Sequence, residues 1–415
     1  MVENAARTTS GNALEALRER TIVVADSGDF ETIRAYRPTD ATTNPSLVLQ
    51  AAGDARYRHL IDEAMAATPT AGLTRVERLM TLFGRELTQV VPRYVSTEVD
   101  ARLSFDTDAT IRKARALIAD YAALGVSADR ILIKIASTWA GIRAASVLEA
   151  KGIACNMTLI FSLAQAQACF EAGVTLISPF VGRITDWHKK AEGVDHYAPQ
   201  DDPGVRSVQR INAYAKTHGY PTQVMAASFR NRDQILALAG ADLMTISPAL
   251  LEELRGMDAA DAPGMSTQPS EVARLMLNRA AFDWALNADA MATEKLAEGI
   301  RRFADDQAAL ESRMAGLAGG VAASAFEIIE DRLIAAFGEQ DGVDRGFVNA
   351  AGAAQLFDLA AVLARAEIIE VATFVETVLE LLERQEGGAF LRTTCLIDFL
   401  QTPGLFRLGH ATLSA

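Results

Sequence analysis

Short runs of β-forming residues alternate with helical patterns through the first 250 residues, and this alternation limits the fold more than any other feature. Eight such runs lie at residues 21–26, 41–44, 94–99, 131–135, 155–160, 175–179, 223–226 and 243–246. Between most of them, apolar residues recur at helical spacing, as they do over residues 109–124. Strands that alternate with helices pair in parallel, so the sequence predicts an α/β protein.

Two architectures fit this alternation. Eight strands closed into a ring make a (β/α)8 barrel of about 250 residues, whereas the alternative is an open, doubly wound sheet. The open sheet normally has a glycine-rich first turn, and no GxGxxG follows any predicted strand here. We therefore predict a (β/α)8 barrel over residues 21–318, preceded by an N-terminal arm or helix at residues 1–20.

The last hundred residues have helical patterning of their own. The sequence GLAGG at 316–320 predicts a short linker, and apolar residues at 326, 329, 333 and 337 then share one helical face. The sequence therefore predicts an all-helical C-terminal extension at residues 319–415. Its apolar faces need burial, so we expect it to pack within the chain or to support a homodimer.

The composition excludes several classes of partner. The 415 residues include 40 Lys and Arg but 53 Asp and Glu, a formal net charge of −13, which argues against nucleic acid or an anionic membrane as a partner. The three cysteines form no CxxC pair and the five histidines form no zinc motif, so we expect neither a disulfide nor a bound metal.

The sequence also predicts where the protein is located. Without a signal peptide or a membrane-length apolar run, it predicts a cytoplasmic protein.

Lys134 is the most informative single residue. It lies in the apolar run ILIKI and shares a strand face with Leu132 because strand side chains alternate. If that face is the barrel interior, burial lowers the pKa of the ammonium group and favours the neutral amine that Schiff-base chemistry requires. The alternative is a lysine that extends from a strand end into solvent.

Polar side chains gather at the ends of other predicted strands, and a barrel brings those ends together at its C-terminal rim, where active sites lie. Carboxylates end two strands, hydroxyl and amide groups end or line others, and two arginines and a serine that can bind phosphate follow the sixth and seventh. Taken singly, such a carboxylate is more often a helix cap, and such an arginine a surface salt bridge. These residues are Asp26, Thr42, Asn44, Glu98, Asn156, Thr158, Ser178, Arg183, Ser228 and Arg230.

The same segments resemble those of transaldolases, in order and without large gaps from about residue 21 to residue 307. The matching strings are VVADSGDF, DATTNPSLVL, STEVDARLSFD, DRILIKIASTWAGIRAA, CNMTLIFSLAQA, LISPFVGRITDW, DDPGV and ASFRN. The resemblance implies a cofactor-free enzyme of the non-oxidative pentose phosphate pathway that acts on sugar phosphates. It would transfer a dihydroxyacetone unit from sedoheptulose 7-phosphate to glyceraldehyde 3-phosphate, giving erythrose 4-phosphate and fructose 6-phosphate.

The resemblance also implies a role for each site residue. Lys134 would form the Schiff base, Asp26 would transfer a proton, and Glu98 with Thr158 would hold a catalytic water. The remaining residues would bind substrate. We expect the dihydroxyacetone hydroxyls to meet Asn44, Asn156 and Ser178, with Thr42 beside them, the phosphate to meet Arg183, Ser228 and Arg230, and Phe180 to line the pocket.

Two other functions stay open from the sequence. Fructose-6-phosphate aldolases resemble transaldolases but release free dihydroxyacetone, and they lack the glutamate of the water site, so Glu98 favours transfer. A barrel of this kind can also serve as a non-catalytic sugar-phosphate sensor or scaffold that acts through its extension. The combination of Lys134, Asp26 and Glu98 weighs against that interpretation.

Overall fold

A computed structural model describes residues 11–67, 69–259, 264–265 and 268–337, and from residue 317 onward it describes only the helical backbone. The predictions for residues 1–10 and 338–415, which include most of the C-terminal extension, lie outside the described residues.

Within the described residues, eight parallel strands pair in sequence order and close into a barrel. The ring closes because β1 pairs with both β2 and β8. This confirms the predicted (β/α)8 fold, and every predicted strand lies within two residues of an observed one. The strands are β1 (Ile22–Asp26), β2 (Asp40–Thr42), β3 (Val95–Glu98), β4 (Ile131–Ala136), β5 (Cys155–Ile160), β6 (Leu176–Pro179), β7 (Gln223–Ala226) and β8 (Leu243–Ile246).

Helices surround the barrel, and many begin where a polar side chain accepts a hydrogen bond from the first turn. Asp106, Thr138 and Ser162 cap three of them in this way. In the described part of the chain the α-helices are α1 (Ala13–Arg18), α2 (Phe30–Arg34), α3 (Pro45–Ala51), α4 (Arg58–Ala66), α5 (Arg75–Val90), α6 (Thr107–Ala123), α7 (Trp139–Glu149), α8 (Leu163–Glu171), α9 (Gly182–Glu192), α10 (Pro203–Thr217), α11 (Arg232–Ala237), α12 (Pro248–Arg255), α13 (Arg279–Ala288) and α14 (Ala290–Phe337). Short 3-10 helices occupy Ala55–Tyr57, Ala101–Leu103 and Ala128–Arg130. None of the helices in these residues is both long enough and apolar enough to cross a membrane.

An apolar cluster fills the lower part of the barrel and supports the mouth above it. Its buried members are Val24, Leu132, Leu176, Met225 and Leu243. Strand side chains alternate, so the residues two positions further along these strands also point inward, nearer the carboxyl ends. Those next inward-facing residues are polar on four strands, namely Asp26, Lys134, Ser178 and Thr245. The inward-facing side chains therefore change from apolar, in the lower part of the barrel, to polar at its mouth within two residues along these strands.

Helix α14 packs its first turns on the carboxyl end of the barrel. Phe303 and Ile300 join Leu159, Phe161 and Phe180 in one buried cluster there. The helix then continues without a break to Phe337 and includes residues 316–320, where the sequence predicts a short linker. A glycine lowers helix stability by only about 1 kcal/mol, so it need not end a helix. The chain divides into two units between Met314 and Ala315.

Gly84 is required where α5 approaches α6. A Cβ atom at residue 84 would lie 1.7 Å from the hydroxyl oxygen of Tyr121, and that buried ring is held by a 2.5 Å hydrogen bond to Thr97. We predict that Gly84→Ala lowers the free energy of unfolding by about 1–3 kcal/mol through overpacking, measured by urea denaturation. The control is Gly316→Ala at an exposed helical glycine with open space around it, which should gain about 0.5–1 kcal/mol. Equal stability of G84A and the unchanged chain would contradict the close packing.

Candidate active site

A pocket of about 160 Å³ opens at the carboxyl ends of the strands. Ten of the predicted site residues line it, namely Asp26, Thr42, Asn44, Lys134, Thr158, Ser178, Phe180, Arg183, Ser228 and Arg230. The other two lie directly beside Lys134 in the barrel register, Glu98 on β3 and Asn156 on β5. The fold thus brings all the predicted residues together at one rim, although they come from seven different strands and the segments that follow them.

Lys134 occupies the centre of this group. Its side chain is buried, and its Nζ lies 3.0 Å from Oε2 of Glu98. Nζ also donates a 3.3 Å hydrogen bond to the carbonyl oxygen of Thr43 and lies 5.7 Å from the ring centroid of Phe303. The lysine is therefore held inside the mouth, and the alternative of a solvent-extended side chain is wrong.

Both carboxyl groups of the site have raised pKa values. Burial raises the pKa of Glu98, and the nearby charge of Lys134 opposes this only in part. The pKa of Asp26, on the pocket wall, is raised for the same reason. Asp26 accepts a 2.9 Å hydrogen bond from Oγ1 of Thr42, which lies 2.8 Å from Oγ1 of Thr245. A carboxyl group with a raised pKa accepts a proton more readily than an ordinary carboxylate, which favours a role in general acid–base chemistry.

Amide and hydroxyl groups on β5 and β6 form the next part of the wall. Ser178 donates a 2.6 Å hydrogen bond to Oδ1 of Asn156, whose Nδ2 donates to Oγ of Ser96 at 3.0 Å. These contacts fix the orientation of the Asn156 amide. Oγ1 of Thr158 is buried and has no hydrogen-bond partner among the described residues, so it is free to bind a water or a substrate.

Arginines form the outer side of the pocket. Arg183, which follows the sixth strand as the sequence predicts, lies in the first turn of α9. Its guanidinium packs 4.9 Å from the ring centroid of Phe180. Burial lowers its pKa, and the positive charges of Arg302 and Arg230 lower it further. Three cations that repel one another beside an open pocket favour an anionic ligand.

Arg230 and Ser228 belong to the loop after β7. The guanidinium of Arg230 forms a 2.8 Å ion pair with Asp186, and its Nη1 lies 3.3 Å from Oγ of Ser228. The loop approaches α9 very closely, because the N–H of Gly182 donates to the Ser228 carbonyl at 2.8 Å. A Cβ at residue 182 would lie 2.3 Å from that oxygen, so only glycine fits. This contact brings Ser228 and Arg230 beside Arg183.

Comparison with known proteins agrees with this geometry. The family model described as transaldolase/fructose-6-phosphate aldolase matches residues 23–314. A transaldolase from Alteromonas mediterranea is 54% identical over 321 residues, which cover 73% of this chain and 98% of the relative. A transaldolase from Chromohalobacter salexigens is 54% identical over 314 residues, covering 74% of this chain and 99% of the relative.

The chain belongs to the transaldolase/fructose-6-phosphate aldolase family. It is an enzyme of the transaldolase type, as the sequence resemblance predicts, which excludes the non-catalytic scaffold. Among the described residues, no three His, Cys, Asp or Glu side chains are placed to hold a metal ion.

Several residues of this transaldolase-type pocket are not in the sequence-based assignment. Phe303 and Thr245 line the pocket, and Arg302 adds the third positive charge. Phe303 and Arg302 belong to α14, more than a hundred residues after Lys134, so no spacing in the sequence relates them to it. Thr245 is one residue from the end of β8, and its position on an inward strand face is a signal that could have identified it.

The raised pKa of Asp26 predicts a stability effect. Well below its ordinary pKa of about 4, the carboxyl is protonated in both the folded and the unfolded state, so its ionisation does not change the free energy of unfolding there. As pH rises from that value through the raised folded pKa, the unfolded state loses the proton first, and stability is lost. We predict that Asp26→Asn raises the melting temperature at about pH 8 by roughly 2–4 °C, and that the gain shrinks as pH falls toward 5.

Asp29 provides a control of opposite sign. Burial alone would raise its pKa, but hydrogen bonds from Tyr57, Thr32 and Arg56 lower it to about 2. Its carboxylate therefore stabilises the fold above its ordinary pKa, and Asp29→Asn should lower the melting temperature at about pH 8. Thermal unfolding followed by circular dichroism between about pH 5 and 8 measures the change in melting temperature of both variants. A D26N variant less stable than the unchanged chain at about pH 8 would contradict the raised pKa.

Proposed function

We propose that this enzyme transfers a dihydroxyacetone unit from sedoheptulose 7-phosphate to glyceraldehyde 3-phosphate through a Schiff base on Lys134. The products are erythrose 4-phosphate and fructose 6-phosphate, as in the non-oxidative pentose phosphate pathway. The observation that carries the proposal is the buried Lys134 amine, 3.0 Å from the Glu98 carboxylate, at the base of a pocket with arginines on its outer side. The iminium supplies the electron sink, so the proposed reaction uses no cofactor.

The first step forms the Schiff base. Glu98 is close enough to take a proton from the Lys134 ammonium, and burial, which raises the pKa of its carboxyl, favours that transfer. The neutral amine attacks the C2 carbonyl of the donor, and loss of water from the carbinolamine gives the protonated imine. The buried hydroxyl of Thr158 supports a water site that serves this dehydration and the later hydrolysis.

The second step breaks the carbon–carbon bond. Asp26 takes the proton of the C4 hydroxyl as the C3–C4 electrons move into the iminium. The first aldehyde then leaves, while the three-carbon enamine stays bound to Lys134. The acceptor aldehyde enters, C3 of the enamine attacks its carbonyl carbon, and Asp26 returns the proton to the new C4 hydroxyl. The raised pKa of Asp26 suits a group that accepts and returns one proton per turnover.

The substrate hydroxyls are assigned to the amides and hydroxyls around the lysine. The Asn44 side-chain oxygen accepts a 2.9 Å hydrogen bond from the N–H of Leu47 at the start of α3, so its Nδ2 is left for the substrate. Asn156 and Ser178, already joined to each other, are assigned to the remaining dihydroxyacetone hydroxyls, with Thr42 beside Asp26. Phe180 covers this end of the pocket.

The phosphate is assigned to Arg183, Ser228 and Arg230. A guanidinium can donate two parallel hydrogen bonds to phosphate oxygens, and each charge-assisted bond contributes about 1.5–3 kcal/mol. The ion pair between Arg230 and Asp186 is exposed, so it can rearrange when a dianion arrives. The formal net charge of the chain, −13, argues against nucleic acid or an anionic membrane as a partner. A cytoplasmic location and a homodimer stay predictions.

The proposal predicts that Lys134 is the covalent nucleophile. Borohydride added with fructose 6-phosphate should reduce the iminium and leave a three-carbon adduct on the peptide that contains Lys134, detected by mass spectrometry. Lys134→Met should lower the transfer rate by roughly 10⁴–10⁶-fold, the effect typical of removing a nucleophile. The control is Lys113→Met on α6, whose amine pairs with Glu77 at 2.7 Å outside the pocket, and which should keep both activity and adduct. An adduct on another lysine would refute the assignment.

A coupled assay with fructose 6-phosphate and erythrose 4-phosphate distinguishes transfer from simple donor cleavage. The proposal predicts sedoheptulose 7-phosphate without accumulation of free dihydroxyacetone. Glu98→Gln should slow transfer by about 10²–10⁴-fold, because imine formation loses its base. It should also increase the fraction of dihydroxyacetone released, because the similar aldolases, which release free dihydroxyacetone, lack this glutamate. Glu77→Gln removes a buried carboxylate that pairs with Lys113 outside the pocket, and it should leave the product ratio unchanged. Free dihydroxyacetone as the main product of the unchanged enzyme would favour the aldolase instead.

A further inference from the structure

The loop after β7 holds two of the proposed phosphate ligands in a conformation that needs support from outside. Ser228 has a φ of 65°, in the left-handed region that residues with a Cβ rarely adopt. Its carbonyl accepts a hydrogen bond from Gly182, and two residues later the N–H of Arg230 donates to Oε1 of Gln234 at 2.8 Å. The loop is therefore tied on one side to α9 and on the other to α11.

The Gln234 side chain has only one possible orientation. It is 1% exposed, and its Nε2 donates to Oδ2 of Asp202 at 2.9 Å and to Oγ1 of Thr185 at 3.0 Å. A carboxylate can only accept hydrogen bonds, so the NH2 group must face Asp202. The amide oxygen is thereby left for the N–H of Arg230, and the side chain cannot turn over without losing its bonds to Asp202 and Arg230.

Asp202 is itself fixed. This buried carboxylate begins α10, where its Oδ1 accepts from the N–H groups of Gly204 at 2.8 Å and Val205 at 3.1 Å. The hydroxyl of Thr185 on α9 donates to the same oxygen at 2.7 Å. Backbone and side-chain donors from two helices thus hold the carboxylate to which Gln234 is attached.

We propose that Gln234 is a positioning residue for phosphate binding, which sets the place of Arg230 relative to Arg183. The Gln234 bridge joins the Arg230 loop to α9, and α9 carries Arg183 in its first turn and the Arg230 partner Asp186. Gln234 does not line the pocket, so it acts only through the loop. This inference rests on the proposed function, because it assumes that the two arginines bind the substrate phosphate.

The test uses Gln234→Leu, which keeps much of the side-chain volume and removes all three hydrogen bonds. We expect the KM for fructose 6-phosphate, with glyceraldehyde as the acceptor, to rise about tenfold while kcat changes less than about twofold. The kcat/KM for unphosphorylated fructose should stay within about twofold, and the inhibition constant of inorganic phosphate should rise in parallel with the KM for fructose 6-phosphate.

Matched threonine variants keep the test decisive if Q234L fails to fold. Thr185→Val removes the hydroxyl that bonds both Asp202 and Gln234. It should lower the ratio of kcat/KM for fructose 6-phosphate to kcat/KM for fructose, as Q234L does, but by a smaller factor. Thr81→Val removes a buried hydroxyl that donates to Asp120 between α5 and α6, and it should leave the ratio unchanged. Stability loss alone would therefore affect T185V and T81V alike.

Two results would overturn the inference. One is an equal loss of kcat/KM for fructose and for fructose 6-phosphate in both Q234L and T185V, which would mean a purely structural role. The other is an inhibition constant of inorganic phosphate that is the same for Q234L as for the unchanged enzyme. Calorimetric titration of the same proteins with inorganic phosphate needs no turnover. If the unchanged enzyme failed to catalyse transfer, the proposed function would fail, and this titration would still support or overturn the role of Gln234.

Discussion

Lys134, Glu98 and Asp26 meet at the barrel mouth in surroundings that penalise charge, and their mutual interaction determines what the site can do. Burial raises the pKa of both carboxyl groups, and the lysine opposes that rise. A buried charge persists only when it is paired or hydrogen-bonded, so Lys134 needs Glu98 at 3.0 Å to be tolerated there. The same pairing places the amine and the carboxyl within hydrogen-bonding distance, as the proposed imine formation requires.

The apolar floor of the barrel makes this arrangement possible. The cluster of Val24, Leu132, Leu176, Met225 and Leu243 excludes water from below and supplies the stability that a polar mouth does not. Helix α14 closes the arrangement from above, since Phe303 lies over the lysine and α14 also brings Arg302 near Arg183. The outer pocket depends on a second polar network, in which Gln234 and Asp202 hold the loop that carries Arg230.

Much of the fold and the inner site follows from the sequence, because both depend on local periodicity. Period-two alternation in ILIKI predicts that Lys134 faces the same way as Leu132, and the structure places both inside the barrel. The sequence predicts the outer side of the pocket, where the arginines lie, less well. Arg183 begins a helix and does not lie in a loop, since the loop after β6 is only two residues long. The glycines at 316–320 do not end α14, because a glycine lowers helix stability by only about 1 kcal/mol.

The sequence by itself determined the alternation of strands and helices, which residues share a strand face, and the residue types at the strand ends. These properties are set by spacing along the chain, and they were enough to predict a barrel with a lysine and two carboxylates at its mouth. Only the tertiary structure decided that Glu98 touches Lys134 and that Phe303 lies near it. It also decided that Asp202 holds Gln234, which bonds to Arg230. Those contacts join segments that are far apart in sequence, so barrel closure and helix packing, rather than any local pattern, bring them within hydrogen-bonding distance.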